Sequence, residues 1–141
     1  MSSIFTKIIQ GEIPSYKIAE DEKFYAFLDI NPLSKGHTLV VPKQEIDYIF
    51  DLEDEYLGAL HIFAKKVSKA ISNTITCKRV GVVVYGLDIP HAHIHLIPLI
   101  EGNEINFSRE KLKLSAEEMA EIANHIFTSF TAFFIKYDTS K

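Results

Sequence analysis

Residues 91–98 read HAHIHLIP. Three of the chain's six histidines fall within five positions, alternating with apolar residues, and a proline closes the run. A period of two is the pattern of a β-strand, whose side chains point alternately to opposite faces. A strand over 91–97 places His91, His93 and His95 on one face and Ala92, Ile94 and Leu96 on the other, toward a core. Pro98 then ends the strand or marks a sheet edge. Neighbouring histidines stand roughly 7 Å apart and the outer two roughly 13 Å, from a rise of about 3.3 Å per residue. One metal ion, with ligands about 2.1 Å away, suits two of them plus a ligand from another strand better than it suits all three. A row of rings fits an elongated anion better. Neutral imidazole is a nucleophile near pH 7 and can attack phosphorus to form a covalent phosphoramidate. Protonated neighbours can donate to phosphate oxygens. Three histidines on one face are hard to satisfy as plain core residues, because each brings two ring nitrogens that need partners.

Working outward, residues 80–85 (VGVVVY) are nearly all β-branched and predict a central strand. Residues 37–42 (HTLVVP) predict another, with His37, Leu39 and Val41 on one face. Tyr16–Glu20 and Lys23–Ile30 predict two strands joined by a turn; in the second, Tyr25, Phe27 and Asp29 share a face and Phe24, Ala26 and Leu28 the other. Residues 3–10 predict a short helix stopped by Gly11. Asp51 is placed to cap a helix on which Leu57, Leu60, Ala64, Val67 and Ile71 recur at helical spacing. Ser115 to Glu118 form a capping box opening an amphipathic helix over about 115–137. Its stripe of Met119, Ile122, Ala123, Ile126, Phe127, Phe130, Phe133 and Phe134 reads as core or dimer packing. Short β–turn–β links favour antiparallel pairing, so the class is α+β with the helices mainly on one side of a sheet.

Length and composition are consistent with this. One hundred and forty-one residues, 47% hydrophobic and 24% charged, predict a single domain over 1–141 with a real core. The net charge of −4 argues against a nucleic-acid face. The densest basic spots, Lys65-Lys66 and Lys111-x-Lys113, read as solvated surface. Cys77 is the only cysteine, which fits a reducing cytoplasm. No apolar run approaches the roughly 20 residues of a membrane span.

The run H-A-H-I-H-L-I resembles the motif of the histidine triad (HIT) family, His-φ-His-φ-His-φ-φ with φ apolar. The stretch SIFTKIIQGEIPSYKIAEDEKFYAFLDINPLSKGHTLVVPK is similar to the N-terminal half of HIT hydrolases nearly throughout, so the likeness runs from about residue 3 to residue 98. The resemblance implies a five-stranded antiparallel sheet, usually in a homodimer. It also implies hydrolysis or transfer at the α-phosphate of a nucleotide, with no cofactor needed. It makes His93 the nucleophile and has His95 and His37 contact phosphate, with His91 supporting the site through hydrogen bonds. It makes Asp29 the ribose ligand, with Phe27, Ile30 and Leu39 in the base and sugar pocket. The substrate it implies is a purine nucleoside phosphoramidate or a dinucleoside polyphosphate.

Departures from the pattern carry expectations of their own. Many bacterial relatives hold zinc with cysteines in C-I-F-C, a histidine after P-K-x and a triad histidine. This chain has Ser3, Thr6 and Glu45 at the three non-triad positions, so no structural zinc is expected. The loop before the triad, Tyr85–Pro90, lacks the family's usual polar set, and Asp88 stands where relatives carry a neutral hydrogen-bonding residue. A carboxylate facing the site would raise a nearby histidine's pKa. Two further readings stay open: a slow or non-catalytic nucleotide-binding regulatory module, and a metal-dependent hydrolase using His91, His93 and His37.

Overall fold

The computed structural model describes residues 2–135. Its elements are helix α1 (Ile4–Ile9), strands β1 (Lys17–Glu20), β2 (Phe24–Leu28) and β3 (Thr38–Pro42), and a 3-10 turn (Ile49–Asp51). Helix α2 (Asp54–Thr74), strands β4 (Arg79–Val83) and β5 (Ile94–Leu99), and helix α3 (Ala116–Phe130) follow. A π-helical turn, Thr131–Ile135, continues α3. The remainder of the helix expected to about 137 lies outside the described residues.

The five strands form one antiparallel sheet in the order β1-β2-β3-β5-β4. Its two faces follow the alternation in the sequence. Phe24, Ala26 and Leu28 of β2, with Val40, Ile94 and Leu96, pack against α2 and α3. Tyr25 and Phe27, with Leu39 and Val41, pack on the other face against Phe5 and Ile8 of α1. The helices are therefore mainly on one side, with only the single short helix α1 opposite.

Leu60, Ala64, Val67 and Ile71 of α2 are buried in the main core, as their spacing requires. Asp51 does not cap this helix. It sits in the 3-10 turn, and Glu53 is the N-cap residue. Burial of Ile49 and Leu52 draws that turn onto the core and delays the helix by two residues. The capping box at Ser115 forms as read, with its side chain accepting from Glu118 N–H. Of the α3 stripe, Met119, Ile122, Ala123, Ile126 and Phe130 are buried, whereas Phe127 and Phe133 face outward.

Two strand expectations need correction. β4 is an edge strand, not a central one, and Val82 and Val84 stand exposed. β5 begins at Ile94 rather than His91, because the backbone before it is bonded elsewhere: His91 N–H donates to Ile89 O and Ala92 N–H to Ile46 O. Pro98 lies inside β5, opposite Val80, although β5 is flanked on both sides. It is tolerated because β3 has already ended on the side its nitrogen faces, where the Ser34 hydroxyl donates to Pro98 O at 2.8 Å.

Candidate functional site

A cavity of about 520 Å³ opens on the α1 face of the sheet. β2 and the residues just after it supply Phe27, Asp29 and Ile30, and β3 with its approach supplies His37 and Leu39. His93 and His95 come from the entry to β5, and Asp88 from the loop before it. All the residues expected at the site except His91 therefore line one cavity. His91 is fully buried behind it and borders a smaller recess of about 210 Å³ on the far side of His93. The triad is consequently not a uniform row of rings along one anion.

Backbone groups with a fixed role set the protons of all four histidines. Leu33 N–H can only donate, and it points at His37 Nδ1 from 3.0 Å. Neutral His37 therefore carries its proton on Nε2 and donates it to His95 Nδ1 at 3.0 Å. That leaves His95 with its proton on Nε2. In the other chain of contacts, the carbonyl of His91 can only accept, and it lies 2.8 Å from His93 Nδ1. His93 therefore carries its proton on Nδ1, and its Nε2 holds a free lone pair. His91 itself donates from Nε2 to Pro42 O at 2.7 Å and accepts at Nδ1 from the Ser3 hydroxyl at 2.7 Å. Two rings whose centroids are 5.0 Å apart thus hold opposite tautomers, one with a bare Nε2 and one with an N–H there.

Burial keeps these rings uncharged. It lowers the pKa of His37 to about 3, with neighbouring positive charge at His95 and Lys111 acting in the same direction. It lowers that of His95 to about 4, helped by His93. His93 is also lowered, again mainly by burial. Asp88 does push His93 upward as its sign requires, but the carboxylate's effect is smaller than desolvation, so the elevated value expected from Asp88 does not arise. Asp29 is raised by burial. Its Oδ1 accepts from Asn31 N–H at 2.8 Å, closing the turn before Pro32, and its Oδ2 lies 3.6 Å from His37 Nε2.

The loop before the triad touches His93 directly. Gly86 has φ +33°, and a Cβ there would come within 2.9 Å of His93 Cε1. Only glycine lets this backbone lie against that ring. Tyr85 stacks on Phe107, with centroids 5.1 Å apart and planes 10° from parallel, and Phe107 meets His95 edge-on at 4.9 Å. Phe107 and Lys111 line the cavity from the irregular segment after β5, and neither was expected from the sequence. The available signal was an isolated aromatic in the polar run GNEINFSREK.

Ser3, Thr6 and Glu45 do converge with His91. Glu45 Oε1 accepts from Ser3 N–H at 2.7 Å and from the Thr6 hydroxyl at 2.6 Å, which draws its pKa down to about 2. Hydroxyls and one carboxylate that already satisfy one another are a poor zinc donor set. Among the described residues, the metal-capable group that converges is instead Asp29, His37 and His95, with donor atoms within 4.8 Å. It does not fit an ion either. Leu33 N–H occupies His37 Nδ1 and forces a proton onto the Nε2 that would have to be the ligand. Nor are His91, His93 and His37 brought together around one point, since His91 Nε2 is committed to Pro42 O and its Nδ1 to Ser3. Purified protein is expected to carry no stoichiometric metal, and chelation should leave its melting temperature unchanged. Zinc at one equivalent, lost to a chelator together with stability, would refute this.

Comparison with known proteins adds the following. The model of the family described as the HIT domain matches residues 10–102. An uncharacterised HIT-like protein of Borreliella burgdorferi is 37% identical over 131 residues, covering 87% of this chain and 94% of that one. An adenosine 5′-monophosphoramidase of Schizosaccharomyces pombe is 42% identical over 100 residues, covering 70% of this chain and 74% of that one. Among solved structures, a HIT-like protein of Bartonella henselae superposes with a TM-score of 0.78 at 32% identity, covering 91% of this chain and 96% of that one.

Proposed function

The chain belongs to the HIT domain family, and on that premise we propose that it is a hydrolase acting at the α-phosphate of a nucleoside phosphoramidate or dinucleoside polyphosphate. The observation that carries this reading is the pair of opposite tautomers facing one cavity, a lone pair at His93 Nε2 and an N–H at His95 Nε2. Relatives named as adenosine 5′-monophosphoramidases support the choice of reaction.

In this reading the His93 Nε2 lone pair attacks the α-phosphorus, and the bond from phosphorus to the leaving group breaks. The leaving group departs with the bond's electrons and takes a proton from solvent water. The His95 N–H donates to a phosphoryl oxygen as its charge grows. The nucleotidyl-imidazole is cationic, and its Nδ1–H stays on the His91 carbonyl, which stabilises that charge. Water then attacks phosphorus and releases its proton to solvent, replacing the one taken up by the leaving group, and His93 leaves with its lone pair restored. Burial keeps His93 in the free-base form this step needs. A mass spectrum taken after brief incubation with adenosine phosphoramidate should show one adenylyl group added to the protein. Product release with no adduct at any time point would exclude the covalent route. The slow-module reading draws on the loop Tyr85–Pro90, which lacks the family's usual polar set and brings Asp88, a second carboxylate, into the cavity; multiple turnovers in the same incubation would dismiss it.

Asp29 is the proposed ribose ligand. Oδ1 is used in the turn, which leaves Oδ2 for the sugar hydroxyls. Asp29→Ala should weaken ribonucleotides roughly ten- to a hundredfold, the loss of a charge-assisted hydrogen bond of about 1.5–3 kcal/mol. Binding of 2′,3′-dideoxy analogues should change far less. Equal losses for both ligand types would make Asp29 a turn residue only.

A homodimer belongs to the same proposal, and its contact is sought at the sheet edge. The α2 stripe is consumed by the core, whereas β4 is an open edge with Val82 and Val84 exposed. Antiparallel pairing of two β4 strands would extend the sheet and cover that edge. A dimeric mass by light scattering at micromolar concentration is the expected result, and a monomer would overturn it.

A further inference from the structure

The proposed substrate is an anion, and the cavity's own charges do not favour one. Asp29 and Asp88 line it, and the two histidines His37 and His95 are held neutral near pH 7. Among the described residues lining the cavity, Lys111 is the only lysine or arginine. Its ammonium is not loose in solvent. Nζ donates to Phe107 O at 2.6 Å and to Arg109 O at 3.0 Å, and the side chain is part-buried. The segment that carries it is tied down by Leu112 N–H, which donates to Pro32 O at 2.9 Å beyond Asp29. Its field reaches both Asp29 and His37. Two of its three N–H groups are used, and one is left over.

We infer that Lys111 is a substrate-binding residue whose ammonium meets the phosphate of the bound nucleotide and selects nucleotides over nucleosides. The inference rests on the hydrolase reading above and adds to it the residue that supplies permanent positive charge. A wall built from residues 107–111 is positioned for this by its own hydrogen bonds. Held by two carbonyls, the lysine loses less side-chain freedom on binding than an exposed one would.

The rival role is architectural: the same two bonds fold the 107–111 turn and so shape the cavity wall. The two roles differ in which ligand they affect. Calorimetric titration would compare AMP and GMP with adenosine and guanosine, in the parent, in Lys111→Met and in Lys111→Arg. Lys111→Met keeps the apolar stem and removes the charge. It should weaken the nucleotides by roughly tenfold or more, the scale of one lost charge-assisted contact, and leave the nucleosides unchanged. Lys111→Arg should retain most of the discrimination. Equal weakening of nucleotide and nucleoside would assign Lys111 to the wall and overturn the inference. So would unchanged binding of both. A parent protein that binds neither AMP nor GMP would instead overturn the nucleotide reading beneath it.

Discussion

His93→Ala should lower turnover by roughly three orders of magnitude or more, the range over which enzymes fall when a covalent nucleophile is removed. The loss should appear in kcat. Binding of AMP should persist, because the other walls of the cavity remain, with Asp29 held by Asn31 N–H and His95 by His37. The fold should also survive. His93 Nδ1 bonds only to the carbonyl of its neighbour His91, and its ring packs edge-on against Phe5 at 5.1 Å. Deleting it leaves one buried carbonyl unpaired, at about 1–3 kcal/mol. The adenylyl adduct should vanish in the same variant. Near-normal turnover, or an adduct that persists, would remove His93 from the mechanism.

What the sequence disclosed follows from what periodicity can encode. A period of two assigned Phe24, Ala26 and Leu28 to one face and Tyr25 and Phe27 to the other, and a helical period assigned Leu60, Ala64, Val67 and Ile71 to the core. Such patterns report which face is buried. They do not report which strand lies beside which, so the β-branched run at 80–85 read as central although it forms the edge. The segment after β5 has neither period. Its contribution to the cavity, Phe107 and Lys111, depends on long-range bonds such as Leu112 N–H to Pro32 O, which leave no local trace. For the same reason Lys111 read as solvated surface. The triad was legible as a motif but not in its geometry. A regular strand from 91 would have aligned three rings, whereas the bonds of His91 and Ala92 to Ile89 and Ile46 turn His91 away to Ser3 and Pro42.

Mild acid should destabilise this fold in a pH window that belongs to its histidines. His37 and His95 remain neutral in the folded state to about 3 and about 4, while the unfolded chain protonates them near 6.5. Below 6.5 the unfolded state therefore binds more protons, and stability falls as pH falls. The stabilisation is fully present above 6.5 and is lost progressively down to the folded values. At pH 5, about 1.5 units below the unfolded value, each ring costs roughly 2 kcal/mol, a figure set by the unfolded pKa because both folded values lie lower still. The lowered His91 and His93 act in the same direction. Glu20, Glu45 and Glu104 are also lowered, but from 4.5, so most of their loss falls below pH 5. Asp29 is raised and has the opposite sign, so its earlier protonation in the folded state offsets part of the loss. His37 and His95 alone should thus contribute roughly 4 kcal/mol of the stability that urea unfolding shows the parent losing between pH 7.5 and pH 5. His37→Gln removes one titrating ring, and its amide oxygen can still accept from Leu33 N–H. The variant starts from a lower stability but should lose about 2 kcal/mol less over the same interval. Equal losses in parent and variant would show that His37 is not held neutral, and with that the proton assignment that makes His95 a donor into the cavity would fall.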